Sequence, residues 1–150
     1  MADARALMYV QMDPPVGAED DFHAWYDDHA AKRRALPGFL AVRRYWNVHP
    51  YGPRHLAWYE VEDTAVLQSA EYLSLRERES DSDRAFMARQ TMVDRRVYEA
   101  LDVGQPWTAP WTDHAPFVIT MTMDPRPDMV EDYHRRTTAP FSCELCRLSY

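Results

Sequence analysis

The sequence has little of what marks several common protein classes. Only two cysteines occur, Cys143 and Cys146, both near the C-terminus. A disulfide framework needs more of them, and a lone C-x-x-C pair offers at most a redox pair or half a zinc site. With four glycines in all, none in a glycine-rich run, the chain has no phosphate cradle. It also lacks a G-x-S-x-G elbow and an H-E-x-x-H helix. No charged-then-apolar leader opens it, and no apolar run is long enough to span a bilayer. A cytoplasmic protein without a membrane partner is therefore expected. Positive charge is also short: 17 basic residues face 24 acidic ones, for a formal charge of −7. Nucleic acid is not expected as a partner, because phosphate binding needs a basic face. The basic pairs and triplets (Lys32-Arg33-Arg34, Arg43-Arg44, Arg95-Arg96, Arg135-Arg136) are short and offset by nearby acids, so they read as solvated faces.

What is present suits a folded domain. Hydrophobic residues make up 46% of the 150 positions, enough to bury a core. Leu7 to Met12 is a short apolar run closed by Asp13-Pro14-Pro15, and reads as a strand. From Ala18 the period changes. Phe22, Trp25, Tyr26 and His29 recur at spacings of three and four, on one helical face. Acids open this helix and Lys32, Arg33 and Arg34 close it, complementing the helix dipole; Pro37-Gly38 stops it. Phe39 to Asn47 reads as a second strand, with Phe39, Ala41, Arg43 and Tyr45 on one face and Leu40, Val42, Arg44 and Trp46 on the other. A turn at 49–53 leads to a third strand, Arg54 to Val61, completing a hairpin. On it His55, Ala57, Tyr59 and Val61 oppose Leu56, Trp58 and Glu60. Asp63 or Thr64 can cap a helical region running toward Glu79. The segment 80–83 can cap another through Met92, and Arg95 to Leu101 reads as a fourth strand. The order β-α-β-β-α-β is the ferredoxin-like pattern of an α+β domain, placed at residues 1–103.

Residues 104–116 read as a proline-rich linker around Trp107 and Trp111. Beyond it, Phe117 to Pro125 repeats the character of Leu7 to Pro14, with Met-Asp-Pro closing both. Asp128 to Arg136 resembles the first helix. Residues 117–150 thus read as a partial second βαβ repeat, which loses the Pro-Gly-Phe signal and carries both cysteines.

Phe22 with Trp25-Tyr26, His29, Pro37-Gly38-Phe39, Arg43-Arg44-Tyr45 and Leu56 to Val61 together resemble the dimeric α/β-barrel superfamily, and within it the EthD-like group. The resemblance covers roughly residues 5–102. One departure is Ala31, where members often carry a proline two residues after the helix histidine. The resemblance implies two four-stranded sheets packed face to face, usually across a homodimer, with a small-molecule pocket inside the barrel or between helix and sheet. The activities it implies include cofactor-free oxygenation of aromatic polyketides, ring closure, lactone isomerisation and haem chemistry. Fold alone does not choose among them.

His29 is the first candidate for chemistry. Imidazole titrates near neutrality and can move a proton. It also falls where EthD-like helices often carry a histidine. The plainer reading is a helix-end histidine complementing the dipole. Tyr26 and Tyr45 could donate to a developing enolate or phenolate oxygen, or serve simply as aromatic core. Arg43 could hold an acidic group of a substrate, or pair with Asp27 or Asp28 across the helix–strand turn. His55 and Tyr59 share a strand face and could join His29 in a pocket. Trp25, Trp46 and Trp58, with Tyr9 and Phe39, could wall a flat aromatic ligand or fill a core or subunit contact. His23 and Asp27, four apart, are too few for a metal site, and none is assigned. A haem would need an axial ligand such as His29 or His55, and neither is singled out. The expectation is a cofactor-independent enzyme acting on an aromatic or polyketide-like substrate by acid–base chemistry: cyclisation, isomerisation or oxygenation. His29, Tyr26 and Tyr45 would be catalytic, and Arg43, Trp25, His55, Tyr59, Trp46 and Tyr9 would bind substrate. The alternative is a non-catalytic small-molecule-binding or assembly module.

Overall fold

Every second residue of the first strand faces a helix layer. In the computed structural model, which describes residues 6–48, 51–100, 120 and 126–132, β1 runs Ala6–Asp13. The chain divides into two compact units. The first contains α1 (Glu19–Arg34), β2 (Phe39–Trp46), β3 (His55–Val61), α2 (Ala70–Glu77), α3 (Asp81–Ala88) and β4 (Thr91–Glu99). Among its described residues the second shows a 3-10 turn, Pro127–Met129, that runs into helical residues 130–132. Most of the expected partial repeat, both cysteines and the 104–116 linker lie outside the described residues.

The four strands are antiparallel in the order β2-β3-β1-β4. That order, with a helix layer on one face, is the ferredoxin-like fold expected from the element sequence. The stops are local chemistry. Gly38 adopts φ +79°, the left-handed conformation that turns the chain from α1 into β2. Asp63 accepts from the backbone N–H groups of Ala65 and Val66 to start a 3-10 turn, and Ser69 caps α2. Ser80 and Asp83 form a reciprocal capping box on α3.

The junction of α3 and β4 differs most from expectation. α3 ends at Ala88, and β4 starts at Thr91 rather than Arg95. The β-branched Thr91 and Val93 favour extended backbone and pair along β1 as far as Asp13. The second difference is a bulge in β2: Phe39 pairs with Val61, but Ala41 pairs with Glu60. Leu40 is the extra residue, so alternation flips there. Phe39 faces the helices with Val42, Arg44 and Trp46; Ala41, Arg43 and Tyr45 face away. The faces of β3 are as expected.

The main core lies between sheet and helices. It gathers Met8, Val10, Phe22, Tyr26, Phe39, Tyr59, Val61, Leu67 and Tyr72. Phe22 and Val61 are wholly buried. A second, smaller cluster sits on the other face: Leu7, Tyr9 and Trp58, with Tyr45 and Leu56 against them.

Candidate functional site

The helical progression that carries Phe22, Tyr26 and His29 reaches Arg33 next. Phe22 and Tyr26 are buried against the sheet, and Arg33 is buried as well. Its guanidinium donates to the carbonyl of His29 at 3.2 Å and to Glu79 Oε1, just after α2, at 3.0 Å. A second tie crosses from Trp25 Nε1 to Asp83 Oδ1 on α3, at 3.0 Å. The indole ring of Trp25 stacks on His29, with centroids 4.5 Å apart, and on Phe86 at 5.2 Å. These ties hold the C-terminal half of α1 against the α2–α3 corner. Between them lies a cleft of about 310 Å³, bordered by Asp28, His29, Lys32, Arg33, Leu75, Arg78, Glu79 and Asp83.

His29 is the titratable ring of this cleft. Burial and the adjacent Arg33 push its pKa down to about 3, with Asp83 pulling weakly the other way. The imidazole is therefore neutral at physiological pH, and offers one N–H donor and one bare nitrogen acceptor. Beneath it the Tyr26 and Tyr59 hydroxyls bond each other at 2.9 Å inside the core. Burial holds both phenols protonated, well above their usual range for Tyr26. Asp83 is held below the usual carboxylate range, chiefly by the Ser80 hydroxyl.

The nine expected site residues fall into three places. Trp25, Tyr26 and His29 are contiguous on α1, and Tyr59 joins them through Tyr26. His55 and Trp46 are on the same side of the sheet but at the hairpin end. There the His55 ring packs at a tilt against Phe22, with centroids 4.4 Å apart, and against Trp46, at 4.3 Å. Burial, then His23 and Arg44, lowers the pKa of His55 to about 4. Tyr9, Arg43 and Tyr45 are on the opposite face, separated from His29 by the sheet. The same division places Trp25, Trp46 and Phe39 apart from Trp58 and Tyr9.

The expected pairing of Arg43 with Asp27 or Asp28 is made instead by its neighbour. Arg44 donates to Asp27 at 2.6 Å and to His23 Nδ1 at 2.8 Å. Its guanidinium lies 4.8 Å from the Tyr26 ring centroid. Asp28 pairs with Lys32. The bulge explains why Arg44 rather than Arg43 faces α1: beyond Leu40 the even-numbered residues point to the helices.

No protein-family model and no curated protein matches this chain. Solved structures are similar at low identity. Rv0793 from Mycobacterium tuberculosis is 18% identical, with a TM-score of 0.49, over 66% of this chain and 97% of that one. The heme degrader MhuD from the same organism, with two hemes bound in its active site, is 13% identical, with a TM-score of 0.46, over 64% and 95%. SnoaB, a cofactor-independent oxygenase from Streptomyces nogalater, is 18% identical, with a TM-score of 0.46, over 65% and 94%. The ferredoxin-like assignment stands on the strand order and pairing of this chain alone. Among the described residues no helix is long and apolar enough to cross a membrane, and no three His, Cys, Asp or Glu side chains gather as a metal site.

Sequence reasoning missed Arg33, Arg78, Glu79 and Asp83. A signal existed for one of them. Arg33 follows His29 by four, which continues the buried face, but a terminal Lys-Arg-Arg run looks solvated. Glu79 and Asp83 flank a polar interruption whose caps were legible and whose tertiary partners were not.

Proposed function

We propose that the cleft between α1 and the α2–α3 corner binds a small molecule and that His29 acts on it. The chemistry would be proton transfer on an aromatic or polyketide-like substrate, as in cyclisation, isomerisation or cofactor-independent oxygenation. One observation carries this reading: a neutral imidazole, half-buried and backed by Trp25, borders a cleft within the size range of small-molecule sites. As the substrate gives up a proton, negative charge grows beside the ring and favours the imidazolium that forms. In the same step the second ring nitrogen can donate to an enolate or phenolate oxygen. Tyr26 supports His29 from below but keeps its hydroxyl on Tyr59. Tyr45, Arg43 and Tyr9 do not share this substrate, because they face the other way.

The test is turnover of phenolic and 1,3-dicarbonyl aromatic compounds by the wild-type chain and by His29→Ala. The variant is expected to lose about 10²-fold or more in kcat while ligand binding changes far less. Equal turnover removes His29 from the mechanism. The low basicity of His29 favours a second reading, a binding module without turnover, since a base near 3 has little drive to take a proton at neutral pH. Saturable binding at the cleft with no reaction across the panel would decide for it. The homodimer implied by the family resemblance is part of the proposal. Light scattering is expected to give twice the chain mass, and a monomer removes it.

A further inference from the structure

We infer that this cleft selects a small molecule bearing one negative charge, a carboxylate above all, and that Arg78 receives it. The inference rests on the proposed cleft and names its ligand class. Most charges around the cleft are already answered in place. Lys32 Nζ lies 2.5 Å from Asp28 Oδ2, and Arg33 is 3.0 Å from Glu79 Oε1. Asp83 accepts from Trp25 Nε1 at 3.0 Å, from the Ser80 hydroxyl at 2.8 Å and from the Ser80 backbone N–H at 3.3 Å. Arg78 differs. This exposed residue donates from Nε to the Ser74 carbonyl at 3.2 Å, and among the described residues no carboxylate pairs with its guanidinium. The two terminal nitrogens keep the fork geometry that matches a carboxylate bidentately.

The neighbours define the rest of the ligand. Leu75 offers apolar surface, and neutral His29 offers a donor and an acceptor without adding charge. A dianion would bring its second charge against Asp28, Glu79 or Asp83. A cation would be repelled by Arg78, and Asp83, which among the described residues pairs with no cation, already accepts three hydrogen bonds. A monoanion with a compact apolar body and a hydroxyl or carbonyl within reach of His29 meets neither repulsion.

The experiment is an amide NMR titration of the full chain with benzoate, its neutral isostere benzamide, and benzylamine. It is repeated in Arg78→Gln, Arg78→Lys and His29→Ala, and the same spectra report whether each variant is folded. Benzoate is expected to bind about tenfold or more tighter than benzamide, with shifts at residues bordering the cleft. Benzylamine is expected to bind weakest. Arg78→Gln is expected to abolish the preference for benzoate, and Arg78→Lys to restore only part of it. If benzoate and benzamide bind alike, or Arg78→Gln leaves the preference intact, the anion assignment is overturned. The cleft reading survives that result if His29→Ala weakens both ligands. If none of the three perturbs the cleft, or His29→Ala changes no affinity, inference and cleft reading fall together.

Discussion

Among the described residues, the buried hydroxyl of Tyr45 and one buried carboxylate oxygen of Glu60 find no hydrogen-bond partner. Both belong to the sheet face away from the helices. The other carboxylate oxygen of Glu60 accepts from Trp58 Nε1 at 3.2 Å. A buried hydroxyl that makes no bond costs its desolvation and returns nothing. Tyr45→Phe is therefore expected to be neutral or slightly stabilising in urea denaturation, whereas a loss above about 1 kcal/mol would reveal a bond formed by that hydroxyl. The contrast is Tyr59→Phe, which leaves the Tyr26 hydroxyl alone in the core and is expected to cost about 1–2 kcal/mol. At this scale the sequence was informative about His29, because spacing placed it on the buried face and its chemistry was plain. It was misleading about Tyr45 as a partner of His29. Strand parity decides the side of the sheet, and composition says nothing of which side is wanted.

Elements are joined here by a few specific contacts. Gly38, between α1 and β2, combines φ +79° with a Cβ direction that would meet Val66 Cγ2 at 2.5 Å. Gly17 has a similar φ of +77° and open space around it. Gly17→Ala is expected to cost about 1–2 kcal/mol from backbone strain alone. Gly38→Ala is expected to cost that plus about 1–3 kcal/mol for displacing Val66, and comparing the two denaturation midpoints checks it. The Arg33–Glu79 pair is the other joint, with side chains 6% and 16% exposed. Glu79→Gln strands a buried guanidinium and is expected to destabilise by about 3 kcal/mol; the double variant Arg33→Met, Glu79→Leu should recover most of that. The Pro-Gly stop and the Asp63 and Ser80 caps were readable because each is a local device written in a few adjacent residues. The buried ion pair was not, because its halves are 46 positions apart and each resembles surface charge.

At the scale of the whole molecule, two histidines among the described residues have folded pKa values below the ordinary 6.5, His29 at about 3 and His55 at about 4. The unfolded chain therefore binds protons at these sites before the folded one does. Stability is fully present above about pH 6.5, is lost as pH falls toward 4 and 3, and changes by about 1.4 kcal/mol per pH unit for each group inside its window. Urea midpoints measured from pH 7 to pH 4 are expected to fall, and His29→Gln should flatten part of that slope. A flat wild-type profile would show that both rings are charged as readily folded as unfolded. The overall topology was legible because alternation, helical period and turn residues agree along residues 6–100. The bulge was not, since Leu40 looks like any other strand residue. Seen as a matter of lineage, that bulge makes the sheet forgiving in one place. Deleting Leu40 would leave Phe39 opposite Val61 and Ala41 opposite Glu60, and every later residue of β2 on its present side. Related chains one residue shorter there can therefore carry the same helix-facing arginine and tryptophan at the same height on the sheet.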